Sequence, residues 1–155
     1  MYPLTHFLFP LTLSLILVVF GFFTYLQAIL SALLGMSIDL DHYLHRIIYY
    51  KDFNVKSCWN KAVTHKDKRE RTLIHHEKGF IFVTILITIF LIFSTKLAAI
   101  FAMAFYSHLL LDHIHIKIKR RFKFKEVGFK FNIPFYEVII NIILIIIILI
   151  IILNK

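Results

Sequence analysis

The sequence predicts an all-α integral membrane protein, a single-domain bundle of about five apolar helices with metal-binding side chains gathered at one set of helix ends. Three observations carry this expectation. The chain of 155 residues is 59% hydrophobic and only 17% charged, with a mean hydropathy of +0.78, where a soluble domain is about a quarter charged. Its apolar runs alternate with basic connections. Its histidines and aspartates recur where the apolar runs stop.

The elements follow in order. Apolar segments at 7–20 and 22–38 are together too long for one span of about 20 residues. Gly21 stands between them and suits the turn of a helical hairpin. A third segment, 79–93, ends at Ser94-Thr95-Lys96, which reads as a turn, and a fourth covers 97–116. The fifth, 134–153, contains IILIIIILIIIL. Its β-branched residues do not argue against a helix, because in lipid every backbone polar group must pair internally. Pro134 suits its first turn.

Two basic connections join these segments. The first, 43–78, carries Lys51, Lys56, Lys61, Lys66, Lys68, Arg69, Arg71 and Lys78, with Tyr43, Tyr49, Tyr50 and Trp59 suited to a membrane–water interface. The second, 117–133, contains RFKFKEVGFKF, a period-two pattern with Gly128 near a turn, which predicts a small hairpin. If the first four segments each cross the membrane, both connections lie on one side. The net charge of +9 resides largely in them, and positive loops stay cytoplasmic. This charge pattern fits membrane orientation and anionic lipid better than specific nucleic-acid binding. The N-terminus lacks the basic region and small-residue cleavage site of a signal peptide, so the first segment is expected to be retained. The single cysteine, Cys58, excludes an internal disulfide.

On this topology His6 opens the first helix. Asp39, Asp41 and His42 close the second, His75 precedes the third, and His108 and Asp112 end the fourth. All fall at one depth. His108 and Asp112 are spaced i, i+4 and share a helix face; Asp41 and His45 do likewise if the helix continues through YLHRIIYY. Histidine and carboxylate without thiolate is the ligand set of a catalytic zinc, or of manganese or iron. Carboxylates near lipid are costly unless paired or metal-bound. The structural alternatives are a helix terminus facing interfacial lysines for Asp39–His42 and a plain hydrogen bond for His108–Asp112. His45, His65 and His115 are assigned no ligand role.

Four short elements in this order make the chain resemble the YdjM-like family of membrane-bound metal-dependent hydrolases of bacteria and archaea. They are THFLF with His6, MSIDLDH with Asp39, Asp41 and His42, ERTLIH with Arg71 and His75, and SHLLLD with Ser107, His108 and Asp112. The chain departs from the family pattern at Ile38, Glu70 and Thr72, where the family has proline, histidine and glycine. The family is grouped by resemblance with zinc-dependent phospholipase C and the P1-type nucleases, all-helical enzymes that hold zinc with histidine and aspartate. The resemblance therefore implies phosphoester hydrolysis in the cytoplasmic membrane. His6, Asp39, Asp41, His42, His75, His108 and Asp112 would hold the metal. Asp39 or Asp41 would bridge ions or act as general base, and Arg71 would bind phosphate. The substrate would be a phospholipid or another phosphoester. The rival expectation is a non-catalytic metal-binding or transport protein, and a weaker one is a pH-sensing structural protein. Transport is disfavoured because the segments' central parts are almost entirely apolar.

Overall fold

The computed structural model describes residues 1–57, 75–121, 126–128 and 132–154. They form helices α1 (Pro3–Val19), α2 (Tyr25–Ser37), α3 (Leu40–Tyr50), α4 (Glu77–Phe93), α5 (Thr95–Arg121) and α6 (Phe135–Leu153), with strands β1 (Glu126–Gly128) and β2 (Asn132–Pro134) before α6. The strands pair antiparallel, Val127 opposite Ile133, within the segment whose alternating pattern predicts a hairpin.

The hairpin of α1 and α2 turns at Gly21, whose φ of 76° lies in the left-handed region that glycine enters without steric cost. Thr24 then starts α2 with a capping box. Its hydroxyl accepts from the Gln27 N–H, and the Gln27 side chain accepts from the Thr24 N–H. That is why α2 begins at Tyr25, three residues later than the apolar run. The expected turn at 94–96 is tighter than predicted: Ser94 alone separates α4 from α5, and its hydroxyl accepts from the Leu97 N–H.

The apolar runs fall largely in α1, α2, α4, α5 and α6. Two of these helices are long and apolar enough to cross a membrane, α5 over Thr95–Ile118 and α6 over Phe135–Leu153. Helices α1, α2 and α4 have 17, 13 and 17 residues, short of the ~20 that span a bilayer core. The apolar window of α6 is only 11% buried. Isoleucines at 139, 142, 143, 145, 146, 150 and 152 all face outward, so α6 is not the buried core helix of a water-soluble domain.

The bundle has two unlike ends. At one end Leu15, Val18, Phe23, Ala28 and Ile100 form an apolar cluster, joined by Ile148 and Ile151. A second apolar cluster, Ile87, Ala98 and Phe105, joins α4 to α5. At the other end meet the start of α1, the end of α2, the C-terminal half of α5 and the start of α6, and many of the buried residues there are polar, among them Thr5, His6, Ser107, His108, His115 and Glu137. Helix α2 approaches closely because its buried residues are small: Ala28, Ser31, Ala32 and Gly35 recur at i, i+3, i+4 and i+7. Small residues let backbones meet where helices pack in apolar surroundings.

Glu137 fastens α6 to α1. It is fully buried. One carboxyl oxygen accepts from the Tyr2 N–H at 2.6 Å and the Thr5 hydroxyl at 2.7 Å. Helix α1 has no side-chain cap of its own, so Glu137 serves its orphan N-terminus from a neighbouring helix. The first turn of α6 also suits an acid on dipole grounds, but the bonds of Glu137 cross to α1. Glu137→Ala is expected to destabilise the protein by about 2–4 kcal/mol through two lost bonds and an unsatisfied helix start. Glu137→Gln, which keeps one acceptor, should cost clearly less; unfolding titration in mixed micelles measures both.

Candidate metal centre

Each sequence-predicted ligand within the described residues arrives from a different local cause. His6 lies one turn into α1, after Pro3 at the helix start. Pro10 has no N–H to give to the His6 carbonyl. At that height Gly35 of α2 comes so close that a Cβ on it would lie 2.9 Å from the Pro10 ring and 3.1 Å from the His6 carbonyl oxygen.

The second element differs from the sequence expectation. Asp39, Asp41 and His42 do not close α2. The helix ends at Ser37, the chain turns over Ile38 and Asp39, and Asp39 stands at the start of α3 with Asp41 in its first turn. The sequence shows no break there because Ile38 keeps helical angles. Acids at a helix start are favoured by the dipole. His75 and His76 precede α4; His76 takes the N-cap position and is exposed, while His75 turns inward. His108 and Asp112 sit one turn apart on α5. Arg71, the predicted phosphate ligand, and Glu70 lie outside the described residues.

The side chains converge. His6 Nε2 lies 3.2 Å from Asp112 Oδ1 and 3.6 Å from Asp39 Oδ2. His108 Nε2 lies 3.4 Å from Asp39 Oδ1 and 3.4 Å from Asp112 Oδ2. The two imidazoles approach opposite oxygens of the same two carboxylates, so both carboxylates lie between His6 and His108. His6, Asp39, His108 and Asp112 can hold one ion, with all their ligand atoms within 4.8 Å. Asp39, His42 and His75 form a second such group, and Asp39 belongs to both.

The orphaned atoms test the fit. His6 is fully buried, yet neither ring nitrogen has a hydrogen-bond partner among the described residues, and Asp39 Oδ2 is buried in the same condition. His6 Nε2 is near two carboxylates without being aligned to donate to either. Uncompensated burial of such groups is costly. A cation bound by His6 Nε2 and Asp39 Oδ2 would relieve it at those two atoms.

A hydrogen bond fixes the His108 tautomer. His108 Nδ1 lies 2.9 Å from the Gly35 carbonyl oxygen, which can only accept, so Nδ1 carries a proton and Nε2 faces the centre. Metal-binding histidines are commonly oriented in this way. Asp41 plays a comparable part for His75. Its Oδ2 lies 3.2 Å from His75 Nδ1, while His75 Nε2 lies 3.1 Å from His108 Nε2 and 3.3 Å from Asp112 Oδ2. Asp41, expected as a ligand, stands outside both metal-competent groups. The rings stack as well, His6 on His108 at 3.9 Å and His42 against His75 at 4.5 Å.

Titration follows from these contacts. Burial pushes His75 down, but the Asp112 and Asp41 carboxylates outweigh it and raise its pKa to about 10. Burial works to raise Asp39, and His108 and His6 more than offset it, leaving Asp39 below its ordinary value. Burial and neighbouring His75 lower His42. In the metal-free protein, then, a proton on His75 occupies the place a cation would take.

Other participants are not visible in ligand spacing. The Gly35 carbonyl is one, although the small-residue stripe on α2 signals a close approach there. The Met1 amino group, 3.1 Å from Asp112 Oδ1, is another. His115, assigned no role from sequence, is buried on the His108–Asp112 face of α5 and is hydrogen-bonded to the Tyr136 hydroxyl of α6. Comparison with family models, curated proteins and solved structures returns no match.

Two outcomes are expected. Gly35→Ala forces the His6 backbone and Pro10 away from α2 and shifts the carbonyl that holds His108; it should weaken metal binding about 10–100-fold, measured by competition with a chromogenic chelator. Metal affinity should also rise with pH. The raised His75 value contributes stability to the metal-free protein fully below 6.5, lost as pH climbs through about 10. Between these limits an entering ion must displace that proton, so affinity should increase up to about tenfold per pH unit, with buffer-dependent proton release in calorimetry.

Proposed function

We propose that this chain is a membrane-embedded, metal-dependent hydrolase of phosphoesters. The observation that carries the reading is the pair of overlapping His/Asp groups sharing Asp39 at the polar end of a lipophilic bundle. In that arrangement His6, His108 and Asp112 would hold one ion with Asp39, and His42 and His75 would hold a second. Zinc suits a four-ligand His/Asp set without thiolate; manganese and iron are the alternatives. A divalent ion supplies Lewis acidity there and makes water a nucleophile near neutral pH. Asp39 is the carboxylate that would bridge the two positions. Asp41 holds the imidazole of His75, stands outside both groups, and would take a proton from water. Arg71 would clamp the phosphate bidentately. The ordered motifs shared with the YdjM-like family support the same reaction class.

The two spanning-length helices and the outward isoleucines of α6 support residence in a membrane. The positive-inside rule places the basic connections, and with them the metal centre, on the cytoplasmic side. Transport is the less favoured reading, since a carrier needs polar groups near the midplane and the far end of this bundle is the apolar cluster around Leu15 and Ile100.

The test is metal content and turnover of detergent-purified protein. The parent should retain zinc, manganese or iron and hydrolyse a phosphodiester or phospholipid in a chelator-sensitive way. Asp39→Asn and His108→Ala, confirmed as folded, should lose both metal and activity. Asp41→Asn should bind metal about 10–100-fold more weakly. A metal-loaded parent inert toward phosphomonoesters, phosphodiesters and phospholipids would overturn the hydrolase reading, and a folded parent that binds no metal would remove its basis.

A further inference from the structure

Helix α3 carries a feature that the metal centre does not explain. On a helical projection Leu40, Tyr43, Leu44, Ile47 and Ile48 fall on one side. Of these, Leu40, Leu44 and Ile48 are 49%, 54% and 69% exposed, although they are spaced i, i+4, i+8 as a stripe that would normally be covered. The opposite side carries Asp41, His42, His45, Arg46 and Tyr49. Asp41 and His42 face His75 in the metal centre. Arg46, the one buried residue of α3, lies over the Tyr50 ring and 3.9 Å from Asp52.

We infer that α3 is an in-plane membrane helix whose Leu40–Leu44–Ile48 stripe sits at the headgroup–acyl boundary of the bilayer. Several features favour lipid as the occupant. With 11 residues α3 is about 16 Å long, roughly half a hydrocarbon core, so it cannot cross. Its stripe follows directly on the outward apolar residues Ile29, Leu30 and Leu33 of α2, after a turn of only two residues. Tyr43, Tyr49 and Tyr50 are residues of the interfacial belt. The helix stops at Lys51 in the left-handed conformation (φ 50°), and Lys51 and Lys56 are exposed beside it. An apolar stripe backed by a polar face and flanked by lysines is the pattern of helices that lie in the interface.

The placement has a consequence for substrate. The polar face of α3 forms one wall of the metal centre while its apolar face rests in lipid, so the centre opens at headgroup depth. Resting on the hydrolase reading, this assigns the substrate to membrane phospholipids, whose phosphate lies at that depth and arrives by lateral diffusion.

The experiment uses the full chain in phospholipid vesicles, with its single tryptophan replaced (Trp59→Phe) and a reporter introduced as Leu44→Trp, Ile48→Trp, Tyr49→Trp or Ile146→Trp. Lipids brominated near the headgroup end of their acyl chains quench tryptophans at the boundary; acrylamide quenches those in water. The expected result is that the reporters at 44 and 48 lose most of their emission to brominated lipid and little to acrylamide, while that at 49 shows the reverse. Acrylamide quenching at 44 and 48, or protection there from both quenchers (a covering protein segment or second copy), would overturn the inference. So would lipid quenching at all three positions of α3. The reporter at 146, on the outward face of α6, separates the levels of failure: quenched by deeper-brominated lipid while 44 and 48 are not, it leaves membrane residence standing and removes only the role of α3; unquenched, it removes both. Metal retention is read separately and is untouched by either result.

Discussion

Two carboxylates and four imidazoles meet at the polar end of the bundle, and the remainder of the fold is organised around the cost of placing them there. Asp39 and His108 are buried, and His6 is fully enclosed. Taking carboxylates out of water costs several kcal/mol each unless opposite charge and hydrogen bonds compensate. The protons on the histidines compensate in part, which is why His75 holds its proton so firmly beside Asp112 and Asp41. The compensation is incomplete: His6 donates to nothing, and one oxygen of Asp39 accepts nothing among the described residues. A divalent cation satisfies both kinds of atom at once, which a proton cannot.

Holding those groups within reach of one another requires three helices to come close. Gly35 is the meeting point. Its missing side chain admits the Pro10 ring and the His6 carbonyl from α1, and its own carbonyl orients His108 from α5. The Glu137 bonds to Tyr2 and Thr5 then tie α6 to the same turn of α1 that carries His6. The ligand geometry is thus set by groups that carry no metal-binding chemistry of their own. The apolar cluster at the far end holds the helices together but does not fix their register at this end.

Surface and site are joined through α3. One face of this short helix supplies Asp41 and His42, and the other presents leucine and isoleucine outward. A soluble metalloenzyme gains nothing from that exposure. A protein bounded by lipid does, because the exterior of α6 and the stripe of α3 are then parts of one continuous apolar boundary.

Much of this was legible in the sequence. Hydropathy located the helices, Gly21 marked the hairpin turn, the alternation around Gly128 marked the strand pair, and the i, i+4 spacing of His108 and Asp112 put both on one face. Those features are local: they follow from period, turn chemistry and backbone sterics within a few residues. Tertiary structure decided what depends on approach between distant segments. It broke the chain at Ile38–Asp39 so that the SIDLDH carboxylates begin a helix instead of ending one. It moved Asp41 out of the ligand groups and onto His75, and it directed Glu137 to a neighbouring helix. It left three of the apolar helices, α1, α2 and α4, short of spanning length. Sequence alone determined which residue types were present and roughly at what depth. Only packing decided which atoms come within 3–4 Å, because that distance is set by the side chains absent between helices, above all at Gly35.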